Sequence, residues 1–314
     1  NPPRPPPPPQ KQTANPQLPP LPPPKKNHPN HDSLHFRRAL VFYELEGYDE
    51  AIADLRSAIT IDSMQPQYYE VLADVFLDYT KSIQAVRTME VAAWKFPERP
   101  ATLLKMSEVY LIVKRHGEAL KTLDRVLQRD PQNAEAYFLT GRVALDMGDS
   151  KRAIAALKKS VQLDADNPEA WVMLGRIFAD EGNPIALRYY DNALRLDTTD
   201  NEVRVFKGMF YKQRGDTKKA FEIYRDIVIR DPDYSDAYFD MGMIYLELDS
   251  LSKAYDHFNL ALRTDPLFVK AYYYRGVTAE AQGNTAAALK DYEQANKMSP
   301  NYPEAKAAVE RLKK

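Results

Sequence analysis

Three histidines near the start of the chain have the clearest capacity for chemistry. His28, His31 and His35 are residue types that bind metal ions, and the last two are four residues apart, as on one helix face. Packing of His35 at the large fourth position of its repeat and solvation of His28 and His31 in the linker explain all three without a metal ion. We therefore predict no metal site and no cofactor.

Other motifs of catalysis are missing from the sequence. It contains no glycine-rich phosphate loop, nucleophile elbow, HExxH motif or paired catalytic carboxylates, and it has no cysteine. Every acidic residue can be placed on a solvated helix face or in a binding groove. We predict that the chain is not an enzyme, has no catalytic residues and takes no small-molecule substrate.

Charge and hydropathy limit the partners. The sequence has 43 basic and 44 acidic residues and a net charge of −1, so no overall field attracts nucleic acid or an anionic membrane. It contains no apolar stretch of about 18 residues that could span a bilayer. We expect proteins as partners, and no nucleic acid.

Residues 1–31 differ sharply from the rest of the chain. They hold 14 of the 24 prolines, four basic residues and no acidic residue, which predicts an extended polyproline II tether. Residues 20–25 also match an SH3-type ligand, PxxPxK. Leu18 and Leu21, three residues apart, would share one polyproline face and could dock on aromatic residues in this chain or in a partner. Spacer, ligand and docking segment remain alternatives.

The sequence from Asp32 onward repeats itself with a period of 34 residues, as the spacing of Pro232, Pro266 and Pro300 illustrates. Residues 303–314 follow the last repeat and read as an amphipathic helix. The eight predicted repeats are 32–65, 66–99, 100–133, 134–167, 168–200, 201–234, 235–268 and 269–302.

Recurrent positions indicate two packed helices in each repeat. The fourth position is mostly large, and several repeats carry a turn glycine after the first helix, as at Gly215. Small residues at the eighth position would let the two helices approach closely. They are Ala39, Ala73, Ser107, Gly141, Gly175, Gly208, Gly242 and Gly276.

This pattern resembles the tetratricopeptide repeat (TPR) family, and it extends over about 270 residues. The resemblance implies an all-α fold: a right-handed superhelical solenoid of about eight repeats. The segment 303–314 would be its capping helix, and the proline-rich segment 1–31 would precede it.

The resemblance also implies that first helices line a concave groove at positions two, five, nine, twelve and thirteen. We expect the acidic and basic members to be segregated, so that one end prefers basic ligand residues. Some apolar members would instead pack on the neighbouring repeat. The predicted peptide-binding residues are Phe36, Leu40, Tyr43, Asp74, Asp78, Leu104, Glu108, Phe138, Arg142, Arg176, Met209, Phe239, Met243, Leu246 and Tyr273.

These observations predict a protein–protein interaction scaffold that binds a polypeptide segment. The proline-rich segment, the first residue Asn1 and the absence of cysteine favour a bacterial envelope lipoprotein on the periplasmic side of the outer membrane. It would serve a membrane-associated assembly or secretion machine and contact the membrane only through a lipid anchor. The alternatives are a cytoplasmic adaptor that recruits SH3-like or WW-like domains through its prolines, and an auxiliary subunit of an enzyme complex.

Overall fold

The computed structural model describes residues 31–313, and this part of the chain is all-α, as predicted. Leu18, Leu21 and almost all of the predicted tether lie outside the described residues. The helices are α1 Asp32–Glu44, α2 Tyr48–Ile61, α3 Pro66–Asp78, α4 Ser82–Lys95, α5 Pro100–Ile112, α6 His116–Arg129, α7 Ala134–Asp146, α8 Ser150–Leu163, α9 Pro168–Asp180, α10 Ile185–Leu196, α11 Asn201–Gln213, α12 Thr217–Arg230, α13 Ser235–Glu247, α14 Leu251–Thr264, α15 Val269–Ala281, α16 Thr285–Met298 and α17 Pro303–Leu312.

The helices fall into two compact units that divide after Pro131, with α1–α6 in the first and α7–α17 in the second. Within each unit every helix packs against the next one along the chain. First helices of consecutive pairs also touch, since α3 contacts α5, α9 contacts α11, and α13 contacts α15. Each unit therefore has first helices side by side and second helices packed behind them.

Local sequence fixes where several helices begin. Asn167 caps α9 by accepting a hydrogen bond from the Ala170 amide at 3.0 Å, and Pro168 occupies the first turn, where no amide partner is needed. The turn inside a pair needs a left-handed residue. Gly215 supplies it with φ 79°, whereas Thr80 takes φ 58° without the freedom of glycine.

The core of each pair forms where the small residue at position eight faces the second helix. A Cβ atom added to Gly242 would lie 2.7 Å from the Phe258 ring, and one added to Gly276 would lie 2.8 Å from the Tyr292 ring. The expected close approach of the two helices is therefore confirmed in these pairs. The large partner lies in the second helix of the same pair, sixteen residues further on.

The aromatic partners all lie opposite glycine, although Gly141 faces Leu157 instead of a ring. Tyr or Phe occurs only opposite glycine, while repeats with Ala or Ser at position eight carry Leu or Met. All eight partners are buried, which seals each pair. They are Leu55, Met89, Leu123, Leu157, Tyr190, Tyr224, Phe258 and Tyr292.

Two buried ion pairs join the helices of the first and last pairs. Arg38 Nε and Nη2 donate to the Asp54 carboxylate at 2.5 and 2.6 Å, and Arg275 donates to Asp291 at 2.8 and 2.7 Å. Asp54 and Asp291 are only 5% and 4% exposed. Burial alone would raise the pKa of Asp54, but hydrogen bonds from Arg38 and His35 hold it below its usual value.

Between residues 31 and 313, no helix is both long and apolar enough to cross a membrane.

Replacing Gly242 with alanine is expected to lower the free energy of unfolding by about 1–3 kcal/mol, because the new methyl group must displace the Phe258 ring. A Gly117→Ala variant is the control. Its methyl group meets no atom within 4 Å, and removing a helical glycine should stabilise by about 0.5–1 kcal/mol. Urea denaturation followed by circular dichroism measures both, and equal losses in both variants would contradict the packing argument.

Replacing Arg275 with methionine is expected to lower the free energy of unfolding by about 3–5 kcal/mol, because it leaves the buried Asp291 carboxylate unpaired. Adding Asp291→Leu should recover most of that loss. The exposed Arg263→Met serves as the control and should change stability by less than about 0.5 kcal/mol. Thermal denaturation tests the series, and a double variant no more stable than Arg275→Met would overturn the explanation.

Candidate functional site

The candidate site is the surface presented by the first helices of each unit, and we call it the first-helix face. It consists of the partly or fully exposed side chains at positions two, five, six, nine, twelve and thirteen of those helices. The second helices cannot cover it, because they pack on the opposite side of the first helices and contribute the sealed core. The predicted groove residues occupy this face unequally.

In the first unit, aromatic and aliphatic side chains of α1 are half-buried. The Phe36 ring lies 4.7 Å from the Tyr68 ring, and Leu40 follows one turn later. Tyr43 donates a hydrogen bond from its hydroxyl to the Asp78 carboxylate, which joins α1 to α3. Burial and this carboxylate raise the pKa of Tyr43 above its ordinary value.

The acidic residues of the first unit already have a cationic partner. Lys105 Nζ lies 2.8 Å from the Asp74 carboxylate and 3.5 Å from that of Glu108. Burial alone would lower the pKa of Lys105, but the two carboxylates raise it. Sequence reasoning missed Lys105, so the predicted preference of Asp74 and Glu108 for a basic ligand is weakened by an internal charge. Leu104, beside this cluster, is half-buried.

The structure corrects the prediction for Phe138. This side chain is only 4% exposed, so it belongs to the core and cannot contact a ligand in this conformation. The Arg142 guanidinium covers its ring at 5.7 Å, and the exposed Arg176 lies in the same way over Phe206 at 5.5 Å. Both arginines therefore contact neighbouring rings while remaining on the surface.

Phe239 and Tyr273 belong to internal aromatic clusters. The Phe239 ring lies 4.9 Å from Phe268 and 5.6 Å from Phe258, and the Tyr273 ring lies 5.2 Å from Tyr302. Both side chains are half-buried. The expected apolar stripe is therefore interrupted here, because these rings fill the space between consecutive helix pairs.

Flexible apolar side chains occupy the rest of the face in the second unit. Met209 on α11 is 43% exposed, and Met243 and Leu246 on α13 are half-buried. All three side chains are therefore accessible to solvent at least in part. Methionine adapts to irregular ligand shapes, so these residues form an accessible apolar part of the face.

Asp240 on α13 is a polar member of the face that sequence reasoning missed. It is half-buried on the same helix as Met243, and burial raises its pKa to about 6 although Lys212 opposes the shift. The signal in the sequence was an acidic residue at position six of its repeat, where most repeats carry apolar or aromatic residues.

His35, one of the three histidines singled out in the sequence, contacts a carboxylate in the core of the first helix pair. His35 Nδ1 lies 2.9 Å from Asp54 Oδ1, but Arg38 already binds this carboxylate. His28 lies outside the described residues. Among residues 31–313 there is no group of three or more metal-ligating side chains.

The two tryptophans of the chain lie in different surroundings. Trp171 packs among helices, and its indole Nε1 donates to the Ala165 carbonyl at 2.8 Å. Trp94, by contrast, is 79% exposed on α4, and Ile83 and Val91 on the same helix are 67% and 47% exposed. A shallow cavity of about 240 Å³ lies at one end of this stripe.

A second cavity, of about 420 Å³, lies between α10, α11 and α12. Arg204 and Lys207 stand at positions four and seven of their repeat, where other repeats mostly place large or apolar side chains. The gap between the helices is therefore left open and lined with charge, and Lys207 Nζ is held by Asp191 at 2.5 Å.

Sequence models of one repeat family match four stretches of the chain. Three models, each described as tetratricopeptide repeat, match residues 113–168, 140–184, 235–266 and 269–311. The chain belongs to the tetratricopeptide repeat family. Proteins of this family generally bind other proteins and are generally non-enzymatic.

Solved structures with this TPR fold are similar at low sequence identity. A TPR protein from Parabacteroides merdae is 17% identical with a TM-score of 0.59, over 79% of this chain and 99% of that one. The pilF protein of Pseudomonas aeruginosa is 18% identical with a TM-score of 0.54, over 70% and 96%. These likenesses support the fold.

The Cut9–Hcn1 structure, from a hetero-tetramer of APC/C, gives 16% identity and a TM-score of 0.54. The match covers 91% of this TPR chain but only 57% of the matched chain. No curated protein matches the sequence.

Replacing Phe239 with alanine is expected to lower the free energy of unfolding by about 2 kcal/mol or more, because it empties an aromatic cluster. Met209→Ala removes an exposed side chain and should change stability by less than about 0.5 kcal/mol. Urea denaturation of both variants measures the difference. Equal stability of the two would mean that Phe239 is a surface residue, as its position in the repeat had suggested.

Proposed function

We propose that this protein is a non-enzymatic scaffold that binds a segment of another polypeptide on its first-helix face. The observation that carries the proposal is the accessible apolar surface of Met209, Met243 and Leu246 on two consecutive first helices. An apolar surface of this kind on a stable core is a common feature of protein-binding sites. Proteins of the TPR family generally bind other proteins, which also supports the proposal.

The face has the properties of a site for an extended or helical segment. Its apolar side chains recur at positions five, nine and twelve, with charged residues between them. A polypeptide could therefore place apolar side chains against consecutive repeats and polar ones between them.

The partner and the compartment stay predictions. The Cut9–Hcn1 structure is that of a hetero-tetramer, which is an example of a similar fold in a complex with another protein. At 16% identity it does not identify a partner for this chain. Envelope attachment, recruitment of SH3-like domains and membership of an enzyme complex all involve features outside the first-helix face.

Site-specific photocrosslinking in cells of the source organism tests the proposal. A benzophenone amino acid in place of Met209 should give a discrete crosslinked product with another protein. The control places the same group at Ile229, which is 70% exposed on the second helix α12 of the same repeat. Equal products from both positions, or a product from Ile229 alone, would contradict binding on the first-helix face.

The same experiment distinguishes the compartments. Crosslinked product recovered with the membrane fraction, to an outer-membrane or secretion component, would support the envelope scaffold. Product confined to the soluble fraction would support the cytoplasmic adaptor. Both results retain the proposed polypeptide-binding role.

A further inference from the structure

A carboxylate on the first-helix face lacks a charge partner. Asp240, half-buried on α13, forms no ion pair with any of residues 31–313. The nearby Lys212 is engaged elsewhere, because its Nζ lies 2.9 Å from the Glu247 carboxylate. A partly buried charge without a partner is costly to the fold, so its presence calls for an explanation.

The corresponding site in the first unit shows what is missing. Lys105 stands at position six of its repeat, as Asp240 does, and it is neutralised by Asp74 and Glu108. Those two residues occupy position nine of the preceding repeat and position nine of the same repeat. The corresponding residues around Asp240 are Met209 and Met243, neither of which can neutralise a carboxylate.

The hydroxyl group of Tyr224 is a second buried polar group, and it lies beside Asp240. The Tyr224 side chain is fully buried, and Asp240 is the hydrogen-bonding group that faces its hydroxyl, although the geometry is poorer than that of a normal hydrogen bond. Burial and the nearby charge of Asp240 raise the pKa of Tyr224, so the hydroxyl stays protonated and can donate. Buried hydroxyl groups are normally hydrogen-bonded, and this one lies against the same carboxylate.

We propose that Asp240 binds the basic side chain of a lysine or arginine in the polypeptide that occupies the first-helix face. This inference rests on the proposed function. The aliphatic stem of the ligand side chain packs between Met209 and Met243, and its cationic group pairs with the Asp240 carboxylate. The ligand thereby supplies the partner charge that the first unit provides internally through Lys105 and its acidic neighbours.

Electrostatics around the site agree with a cationic ligand group. Asp236, one turn earlier on α13, is exposed and adds a second negative charge, while Lys212 on α11 and Lys270 on α15 partly offset the charge of Asp240. The Tyr224 hydroxyl on α12 is neutral. Because burial raises the pKa of Asp240 to about 6, its charge is present at neutral pH and is lost as the pH falls through 6.

Parallel selection of a phage-displayed random 12-residue peptide library on the full chain and on Asp240→Asn tests the inference. Peptides selected on the unaltered chain should be enriched about fivefold or more in Lys or Arg at one position, and those selected on Asp240→Asn should not. Asp256→Asn, an exposed carboxylate on α14, is the control for the same change in charge. It should retain the enrichment.

Each alternative result has a distinct meaning. Peptides enriched without a basic position, or with the same basic position on Asp240→Asn, would overturn the cation site and leave the proposed function intact. Failure to select any peptide on any form of the chain would contradict polypeptide binding itself, and with it this inference. Circular dichroism spectra establish that each variant is folded before selection.

The affinity of the chain for one selected basic peptide, measured by fluorescence anisotropy at several pH values, is a second test of the cation site. Binding should weaken about tenfold between pH 7.5 and pH 5.0, because only about a tenth of a carboxyl with pKa 6 is ionised at pH 5. The loss should be absent in Asp240→Asn. Met209→Lys, which introduces an internal cation, should also abolish the preference for a basic peptide. Retention of that preference in Met209→Lys would overturn the inference.

Discussion

The close approach of two helices over a small residue is the contact on which the rest of this structure depends. At Gly242 the Phe258 ring occupies the space where a Cβ atom would lie, and the same arrangement recurs at Gly208 and Tyr224. Because the second helix supplies the buried ring, each pair completes most of its core by itself. The remaining apolar surface of the first helix is then available for neighbouring pairs and for a ligand.

Because each pair completes most of its core by itself, the candidate site can vary along the chain while the fold stays the same. Core positions keep their size relation from repeat to repeat, but position six changes from Lys105 in one unit to Asp240 in the other. Aromatic residues such as Phe239 and Tyr273 seal consecutive pairs, so fewer apolar side chains remain exposed than a simple count of positions suggests. Methionines and charged residues are therefore the groups through which this face can select a ligand.

The fold was predictable from the sequence because its signals recur. Small residues at position eight and turn glycines are repeated in several repeats, and each has one dominant physical cause. The partner of position eight was harder to recognise, since Leu, Met, Tyr and Phe all fill it. The Arg38–Asp54 and Arg275–Asp291 pairs share one spacing of sixteen residues. This spacing could have predicted both ion pairs from the sequence.

The site was less predictable because exposure depends on neighbouring helices as well as on position. Phe138 and Met209 both occupy predicted groove positions, yet one is buried and the other is 43% exposed. The exposure of Trp94 has no counterpart in the periodic pattern, since a tryptophan at that spacing is normally assigned to the core. Charge partners such as Lys105 also depend on contacts between repeats, which a single helical pattern does not contain.

Hydroxyl-radical footprinting of the full chain, with and without its crosslink-identified partner, tests the central claim most directly. Oxidation of Met209 should fall when the partner binds, while oxidation of Met64 and Met147, which are 62% and 52% exposed outside the first-helix face, should not change. Protection of Trp94 with unchanged oxidation of Met209 would contradict the account, because it would place the partner on the second helix α4.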